Sequence, residues 1–563
     1  MSTAPETGRC TLTPDLATRH AATLDEALSA AASRAYWSAY PESPKAYGDP
    51  GEGRRRFEAY LGKPFPLDQP TGGATVGDER SPYGVPLGVR YPAVDVDRLL
   101  AAAHRAMPSW RLAGPRTRAL VCIEIIHRVN ERTIELTHAV MHTTGQGYAM
   151  ALQAGGPHAQ DRALEAVAYA YREMTSTPPQ ARWEKPAGRG EPLRMDKTFH
   201  VVPRGIALVI GCNTFPTWNS YPGLFASLAT GNAVLVKPHP RAVLPLAITV
   251  AIAREVLADS GFDPNLVLLA AENDGDQLAA ELATHPDVRI VDFTGSSTFG
   301  NWLERNAAQA QVYTEKSGVN SVVVDSTDDF AGMCRNLAFS LSLYSGQMCT
   351  TPQNILVPRA GIATDEGHKS LDEVAAGIAN AVDALLADDG RAVQLTGAIV
   401  NDGVLERLEE ADSLGEPVLA SREISHPEFA DALVRTPTIR KVDVTDSKAY
   451  DEERFGPISF VIATDSTDQS IATMRDITAS RGAITASVYS TSERVLDQAE
   501  QAAVEAGVAL SCNLTGGVFV NQSAAFSDFH ATGANPAANA ALTDSAFVAG
   551  RFRIVQSRRP SRD

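Results

Sequence analysis

Between residues 206 and 293 four short apolar runs recur, separated by amphipathic stretches. They are Ile206-Ala207-Leu208-Val209-Ile210, Ala233-Val234-Leu235-Val236, Leu266-Val267-Leu268-Leu269 and Arg289-Ile290-Val291-Asp292-Phe293. A continuously apolar strand must be covered on both faces, as happens in parallel sheets flanked by helices. The intervening segments, such as 242–258, carry helical patterns, and strand–helix–strand alternation of this kind defines an α/β architecture. A second alternating block opens at Ser321-Val322-Val323-Val324 and runs to about residue 520. The expected fold class is therefore α/β with two parallel-sheet domains. The Pro- and charge-rich stretch 176–198 reads as a loop or exposed hairpin.

Ahead of the first sheet the pattern is helical. Asp97 is a candidate cap for a helix carrying Leu99, Leu100 and Ala103. A second helix is expected through Leu120, Ile123, Ile126 and Val129, and a third over 161–174. Residues 1 to about 90 are mixed, and Arg54-Arg55-Arg56 reads as a solvated surface.

The chain has 563 residues, room for two to four domains at roughly 150 residues each. Its net charge of -17 argues against nucleic acid or an anionic membrane as partner. A local basic pocket for an anionic ligand remains compatible with that charge. The opening residues are polar, unlike a secretory signal, and no apolar run approaches the ~18 residues of a membrane span. The expected compartment is the cytoplasm. Six cysteines are scattered without a C-x-x-C pair, so neither a zinc cluster nor a disulfide framework is suggested. His138 and His142 have metal-ligand spacing but no third ligand, and read as packing residues; no metal is expected.

One cysteine stands apart. Cys349 lies in Tyr344-Ser345-Gly346-Gln347-Met348-Cys349-Thr350, a small, polar, glycine-containing segment. A nucleophilic thiol needs such backbone donors and substrate access. Glu315 sits in a glycine-containing turn ahead of Val322-Val323-Val324, at a strand mouth where ligands collect in α/β folds. Phe293-Thr294-Gly295-Ser296-Ser297-Thr298-Phe299-Gly300 follows an apolar run and leads into a possible helix, the arrangement that aims backbone N–H groups at a phosphate.

In order and spacing these blocks resemble the aldehyde dehydrogenase superfamily. Gly211-Cys212-Asn213-Thr214-Phe215-Pro216 resembles the asparagine-containing segment before the first cofactor strand, and Lys237-Pro238 the K-P-S-E ribose motif. The run from Phe293 to Gly300 resembles F-T-G-S-x-x-x-G, Glu315 with Gly318 and Asn320 resembles E-L-G-G-K-N, and Gly346 to Cys349 resembles G-Q-x-C. Glu452-Glu453-Arg454-Phe455-Gly456-Pro457 resembles E-E-x-F-G-P. The resemblance implies a thiohemiacetal and then a thioester on Cys349, hydride transfer to a nicotinamide, and Glu315 as general base. It implies an oxyanion donor at Asn213, with Thr214 as rival. It also implies cofactor binding by Lys237, His239, Arg241, Gly295, Ser296, Gly300, Glu453 and Phe455. Trp218, Tyr221 and Phe225 are candidates for an aromatic substrate tunnel.

Three departures refine the expectation. Thr214 stands where the family carries asparagine. Pro240 and Arg241 stand where it carries the ribose-binding acid, which favours NADP over NAD. Ala525-Phe526-Ser527-Asp528-Phe529-His530-Ala531-Thr532-Gly533 replaces the usual P-F-G-G-x-K-x-S-G at the tunnel rim. These features resemble the PaaN-type aldehyde dehydrogenases of phenylacetic acid degradation, implying a semialdehyde substrate, free or carried on coenzyme A. The alternative is a coenzyme-A-acylating aldehyde dehydrogenase, against which Glu315 counts, because transfer to coenzyme A needs no activated water. A cofactor-free thiol hydrolase and a silent scaffold are the remaining rivals. The resemblance further implies a homodimer or homotetramer with an oligomerisation hairpin near 177–200. Expected boundaries are an N-terminal extension (1–60), a cofactor domain (61–316), a catalytic domain (317–520) and a C-terminal segment (521–563) at the tunnel rim and a subunit contact.

Overall fold

The computed structural model describes residues 14–188, 190–530, 537 and 544–561. Helices come first: α1 (Pro14–Ser33), α2 (Val96–Leu112), α3 (Gly114–Glu131) and α4 (Pro157–Thr175). Asp95, rather than Asp97, caps α2: its side chain accepts from Arg98 N at 3.1 Å, which leaves Asp97 inside the first turn. An antiparallel hairpin, β1 (Gln180–Ala187) and β2 (Gly190–Pro203), leads into the first sheet.

That sheet holds β3 (Ile206–Ile210), β4 (Ala233–Lys237), β5 (Val267–Leu269), β6 (Val288–Gly295) and β7 (Gln311–Lys316). The order is β5-β4-β3-β6-β7 and every pairing is parallel. Helices α5 (Pro216–Ala229), α6 (Leu244–Asp259), α7 (Leu278–Thr284) and α8 (Ser297–Asn306) connect its strands. The chain leaves β3 toward β4 on one side and returns to β6 on the other, so a switch point opens at the carboxyl ends of β3 and β6.

The second sheet holds β8 (Asn320–Val324), β9 (Pro352–Pro358), β10 (Glu416–Leu419), β11 (Thr438–Asp443), β12 (Ile458–Thr464), β13 (Thr485–Tyr489) and β14 (Ala509–Cys512). Its order is β10-β11-β12-β9-β8-β13-β14, parallel except at the β10 edge. The strand period of two sorts its side chains: Val322 and Val324 enter one core while Val323 enters the other. Being apolar on both faces, β8 must be a buried central strand.

Both ends of the chain join the first sheet. Leu16, Leu24 and Phe57 share its core, so much of the N-terminal extension packs onto it. A last strand, β15 (Phe552–Pro560), pairs antiparallel with β2 from Phe552↔Pro203 onward. Arg551, just before β15, is fully buried. It forks onto Asp292 of β6 at 2.7 and 2.5 Å and also donates to Ser227 Oγ at 2.7 Å. Replacing Arg551 by Met leaves Asp292 buried without its ion partner, which costs about 3–5 kcal/mol. Urea denaturation should show this loss, and a change below about 1 kcal/mol would mean that the pair contributes no more than a surface bridge.

Candidate active site

The segment that presents Cys349 is held against its own backbone preferences. Tyr344 and Ser345 adopt left-handed φ values of 51° and 49°, and Gly346 follows at 62°. Such conformations cost roughly 1–3 kcal/mol each in non-glycine residues and persist only where the surroundings dictate them. Tyr344 donates its hydroxyl to Thr144 O, Ser345 Oγ donates to Arg435 O at 2.8 Å, and Gln347 Nε2 donates to Ala398 O at 3.1 Å. A Cβ at Gly346 would lie 2.3 Å from Gly456 O, so only glycine fits. Asn320, opening β8, donates to Cys349 O and Thr351 O, both at 2.9 Å. A Cβ on Gly318 would meet Cys349 O at 2.1 Å. The E-L-G-G-K-N-like and G-Q-x-C-like segments therefore lock together through Gly318 and Asn320.

Glu315 lies near the carboxyl end of β7, its side chain buried inside the protein. Its neighbour Lys316 points to the other face and donates to Glu304 at 2.6 Å and Asn301 at 2.7 Å. Glu315 Oε1 accepts from Cys349 Sγ at 3.5 Å, Asn219 Nδ2 at 3.2 Å and His530 Nε2 at 3.0 Å. Burial alone would push this carboxyl up. The charge and hydrogen bond of His530, with the donors Cys349 and Asn219, bring it below the usual range instead. Burial, and then the Glu315 charge, pushes the Cys349 thiol well above its ordinary value. Thiol and carboxylate therefore share one proton site, with the proton resting on sulfur.

The expected oxyanion donors lie elsewhere. Asn213 Nδ2 is aimed at Thr143 O, at 3.4 Å, and the Thr214 hydroxyl lies 3.9 Å from Cys212 Sγ. The amide that reaches the reactive pair is that of Asn219, in the first turn of α5, where Pro216 starts the helix. The tunnel expectation also needs correction. Tyr221 and Phe225 are buried in the core, and the Tyr221 hydroxyl bonds Thr249 Oγ1 at 2.8 Å. Trp218 alone of the three reaches the site, packing edge-on against His530 with centroids 4.6 Å apart. His530 belongs to the divergent C-terminal segment; positions 531–536 of that segment lie outside the described residues.

At the carboxyl end of β4, Lys237 is buried and ion-paired with Glu272, which follows β5. Glu272 Oε2 also accepts from Leu278 N at 2.9 Å. Arg241 gives both Nε and Nη2 to Asp274, at 3.0 and 2.9 Å. Burial and then Lys237 hold His239 down at about 4. The basic trio expected to attract a phosphate is thus two paired cations and a neutral ring. A cavity of about 620 Å³ opens beside Glu272, floored by Leu278, Ala280 and Trp302 and rimmed by Asp276 and Glu281. Ser296 caps α8, accepting from Phe299 N at 3.4 Å, and directs that helix's first N–H groups to the same end of the sheet. A Cβ on Gly300 would meet Lys316 Cδ at 2.7 Å, and one on Gly295 the Phe293 ring at 2.7 Å, so this turn packs too tightly for side chains. Glu453 accepts from the Gly318 N–H and is pushed up by burial to about 7, while Phe455 O accepts from Arg407 at 2.8 Å. These groups offer a nucleotide a cavity with apolar and acidic walls, a carboxylate, and a helix N-terminus.

The chain belongs to the aldehyde dehydrogenase family, whose model matches residues 89–534, and it is an NAD(P)-dependent oxidoreductase acting on an aldehyde group. It superposes on a crystal structure of an NAD-dependent aldehyde dehydrogenase from Burkholderia multivorans with a TM-score of 0.96 and 58% identity, covering 98% of this chain and 100% of that one. It is 27% identical over 418 residues to an N-succinylglutamate 5-semialdehyde dehydrogenase of Chromobacterium violaceum, covering 72% of this chain and 78% of the relative. A variant of Thermus thermophilus 1-pyrroline-5-carboxylate dehydrogenase shares the fold, with a TM-score of 0.75 at 20% identity over 94% of this chain and 99% of that one. Among the described residues no helix is long and apolar enough to cross a membrane.

Proposed function

We propose that this enzyme oxidises a semialdehyde to the free acid by a hydrolytic route, with NAD as the preferred oxidant. The observation that carries this reading is the 3.5 Å approach of Cys349 Sγ to Glu315 Oε1. As Sγ bonds to the aldehyde carbon, its proton passes to Glu315, and the carbonyl oxygen takes the displaced electron pair. The Asn219 amide, which reaches the Cys349–Glu315 pair, and the Cys349 N–H would supply the donors for that developing charge. When bound, the nicotinamide supplies the hydride acceptor. Glu315, having returned its proton to solvent, then removes one from the water that attacks the Cys349 thioester; acid leaves and the thiol is restored. Glu315 Oε2 is buried without a partner among the described residues, and is the oxygen free to take that proton. A carboxylate so placed has no task in transfer to coenzyme A, which favours hydrolysis over the acylating alternative.

The relatives reported above bear on the substrate. The name N-succinylglutamate 5-semialdehyde dehydrogenase places a carboxylated aldehyde in that relative's site. The phenylacetate route implied by the PaaN-type resemblance has no counterpart in those names, so the proposal stays with the semialdehyde class. NADH formation with a panel of free semialdehydes and one coenzyme-A-linked semialdehyde tests it. Turnover without added coenzyme A is expected, and turnover only in its presence would overturn the hydrolytic reading. Leu193, Ile554 and Val555 are exposed on the β15-β2-β1 sheet and support self-association as a homodimer or homotetramer.

NAD is preferred because Glu272, Asp276 and Glu281 line the cavity where a 2'-phosphate would arrive, and the Lys237 and Arg241 charges are already paired. Glu272→Gln should remove a repulsive charge and free Lys237. The NADP-to-NAD ratio of kcat/KM is expected to rise roughly ten- to a hundredfold. An unchanged ratio in steady-state kinetics would take Glu272 out of cofactor choice.

A further inference from the structure

Three donors converge on Glu315 Oε1, and one of them comes from the segment whose sequence departs from the family pattern. An ionised carboxylate oxygen only accepts, so His530 presents its Nε2–H to it. The imidazole is seated firmly. It is 4% exposed and rests edge-on against Trp218, and the Arg162 guanidinium covers the Trp218 ring at 5.3 Å. Arg162 and Glu165, on α4, hold the backbone that carries His530. Arg162 donates to Ser523 Oγ at 3.1 Å, and Glu165 Oε1 accepts from Phe526 N at 3.0 Å.

We propose that His530 is a positioning residue for the oxidation: its Nε2–H holds the Glu315 carboxylate turned onto Cys349 Sγ. The proposal rests on the hydrolytic reading above and adds to it how the base is kept ready inside the protein. A buried carboxylate is costly unless donors surround it. Among the described residues the titratable and charged groups around Glu315 are the Cys349 and Cys212 thiols, His530, Glu453 acting on Cys349, Tyr313 and the Arg551-paired Asp292 across a small shared cavity, and the Arg162–Glu165 pair beyond Trp218. Of these, His530 is the strongest influence holding the carboxyl down. With His530 removed, Glu315 would keep the neutral amide of Asn219 and the weak thiol donor. It would then bind a proton at a higher pH, and its work as a base would be lost earlier as pH falls.

The test is an infrared titration of the Glu315 carboxyl in the substrate-free, full-length enzyme, with the band assigned by its loss in Glu315→Gln. In His530→Leu the midpoint should rise by about one pH unit or more, equivalent to a tenfold loss of ionised Glu315 on the acid side. His530→Gln, which keeps an N–H at similar reach but carries no charge, should recover the hydrogen-bond part, with a midpoint between those of wild type and His530→Leu. If His530→Leu does not fold, His530→Asn, too short to reach Oε1, should show the same rise. Equal midpoints in wild type and variant would overturn the proposal. In kinetics the acidic limb of kcat should move up with the midpoint, whereas uniformly slower turnover with an unmoved limb would mean that His530 only packs. A wild-type enzyme that oxidises no aldehyde would sink the functional reading, while the infrared titration would still decide the role of His530.

Discussion

Cys349→Ala is expected to lose aldehyde oxidation by on the order of 10⁴- to 10⁶-fold while still binding NAD. The size follows from the chemistry. In this mechanism hydride leaves from the carbon bonded to sulfur, and among the described residues no other thiol donates to Glu315. Cys212 is the other thiol in the site, but its Sγ bonds to Asn219 Oδ1 at 3.6 Å and accepts from Phe215 N at 3.4 Å. Burial also pushes it up to about 11, so it remains a thiol at neutral pH. The substitution should not unfold the protein. Cys349 is partly exposed, it packs against Ile484, and the turn that carries it is held by Asn320, Ser345 and Gln347 rather than by sulfur. Removing one sulfur atom there costs about 1 kcal/mol. Fluorescence titration with NAD and single-turnover hydride transfer would check both halves. Residual turnover within tenfold of wild type would remove Cys349 from the mechanism.

Contiguous features were the ones that could be read from the sequence. The apolar runs became β3, β4, β5 and β6 because a strand buried on both faces leaves an unbroken signature. Cys349 and Glu315 were legible because each lies in a short motif whose glycines and asparagine are packing requirements of the same turn. What escaped is supplied across long separations. His530 meets Glu315 over 215 residues, and nothing local to His530 announces it. Glu272 follows a different strand from the Lys237 motif, so the missing acid beside Pro238 looked like a gain of positive charge. A carboxylate just after β5, the neighbouring parallel strand, pairs with Lys237 instead.

Trp218, Tyr221 and Phe225 illustrate a related limit. Their spacing puts them on neighbouring faces of α5, but spacing cannot tell which end of a helix reaches a cleft. Only the first turn does, carrying Trp218 and Asn219. The segment Ala525–His530 signalled its importance only as a mismatch to the family pattern. A departure from a motif shows where to look, and tertiary contact shows what has replaced it.

Glu315→Gln separates the two halves of the reaction. Steady-state turnover should fall by about 10²- to 10⁴-fold, the usual contribution of a general base. A burst of NADH stoichiometric with active sites should persist. The asymmetry comes from the charge coupling between the two residues. In wild type the Glu315 carboxylate both accepts the thiol proton and, by its charge, raises the thiol. The amide removes both effects at once. Thiolate becomes easier to form without help, and this offsets the loss of the acceptor during attack on the aldehyde. No such offset exists for water, whose proton must go somewhere as it attacks the thioester. The pH dependence follows with a definite sign. Because its folded value lies below the usual range, Glu315 stays ionised through neutral pH, and wild-type deacylation should fail only as pH drops through that lowered value. Glu315→Gln should lose this limb altogether. Stopped-flow absorbance across pH would read burst and steady rate together. A vanished burst with both phases slowed equally would assign Glu315 to the attack step instead and return the hydrolytic water to another base.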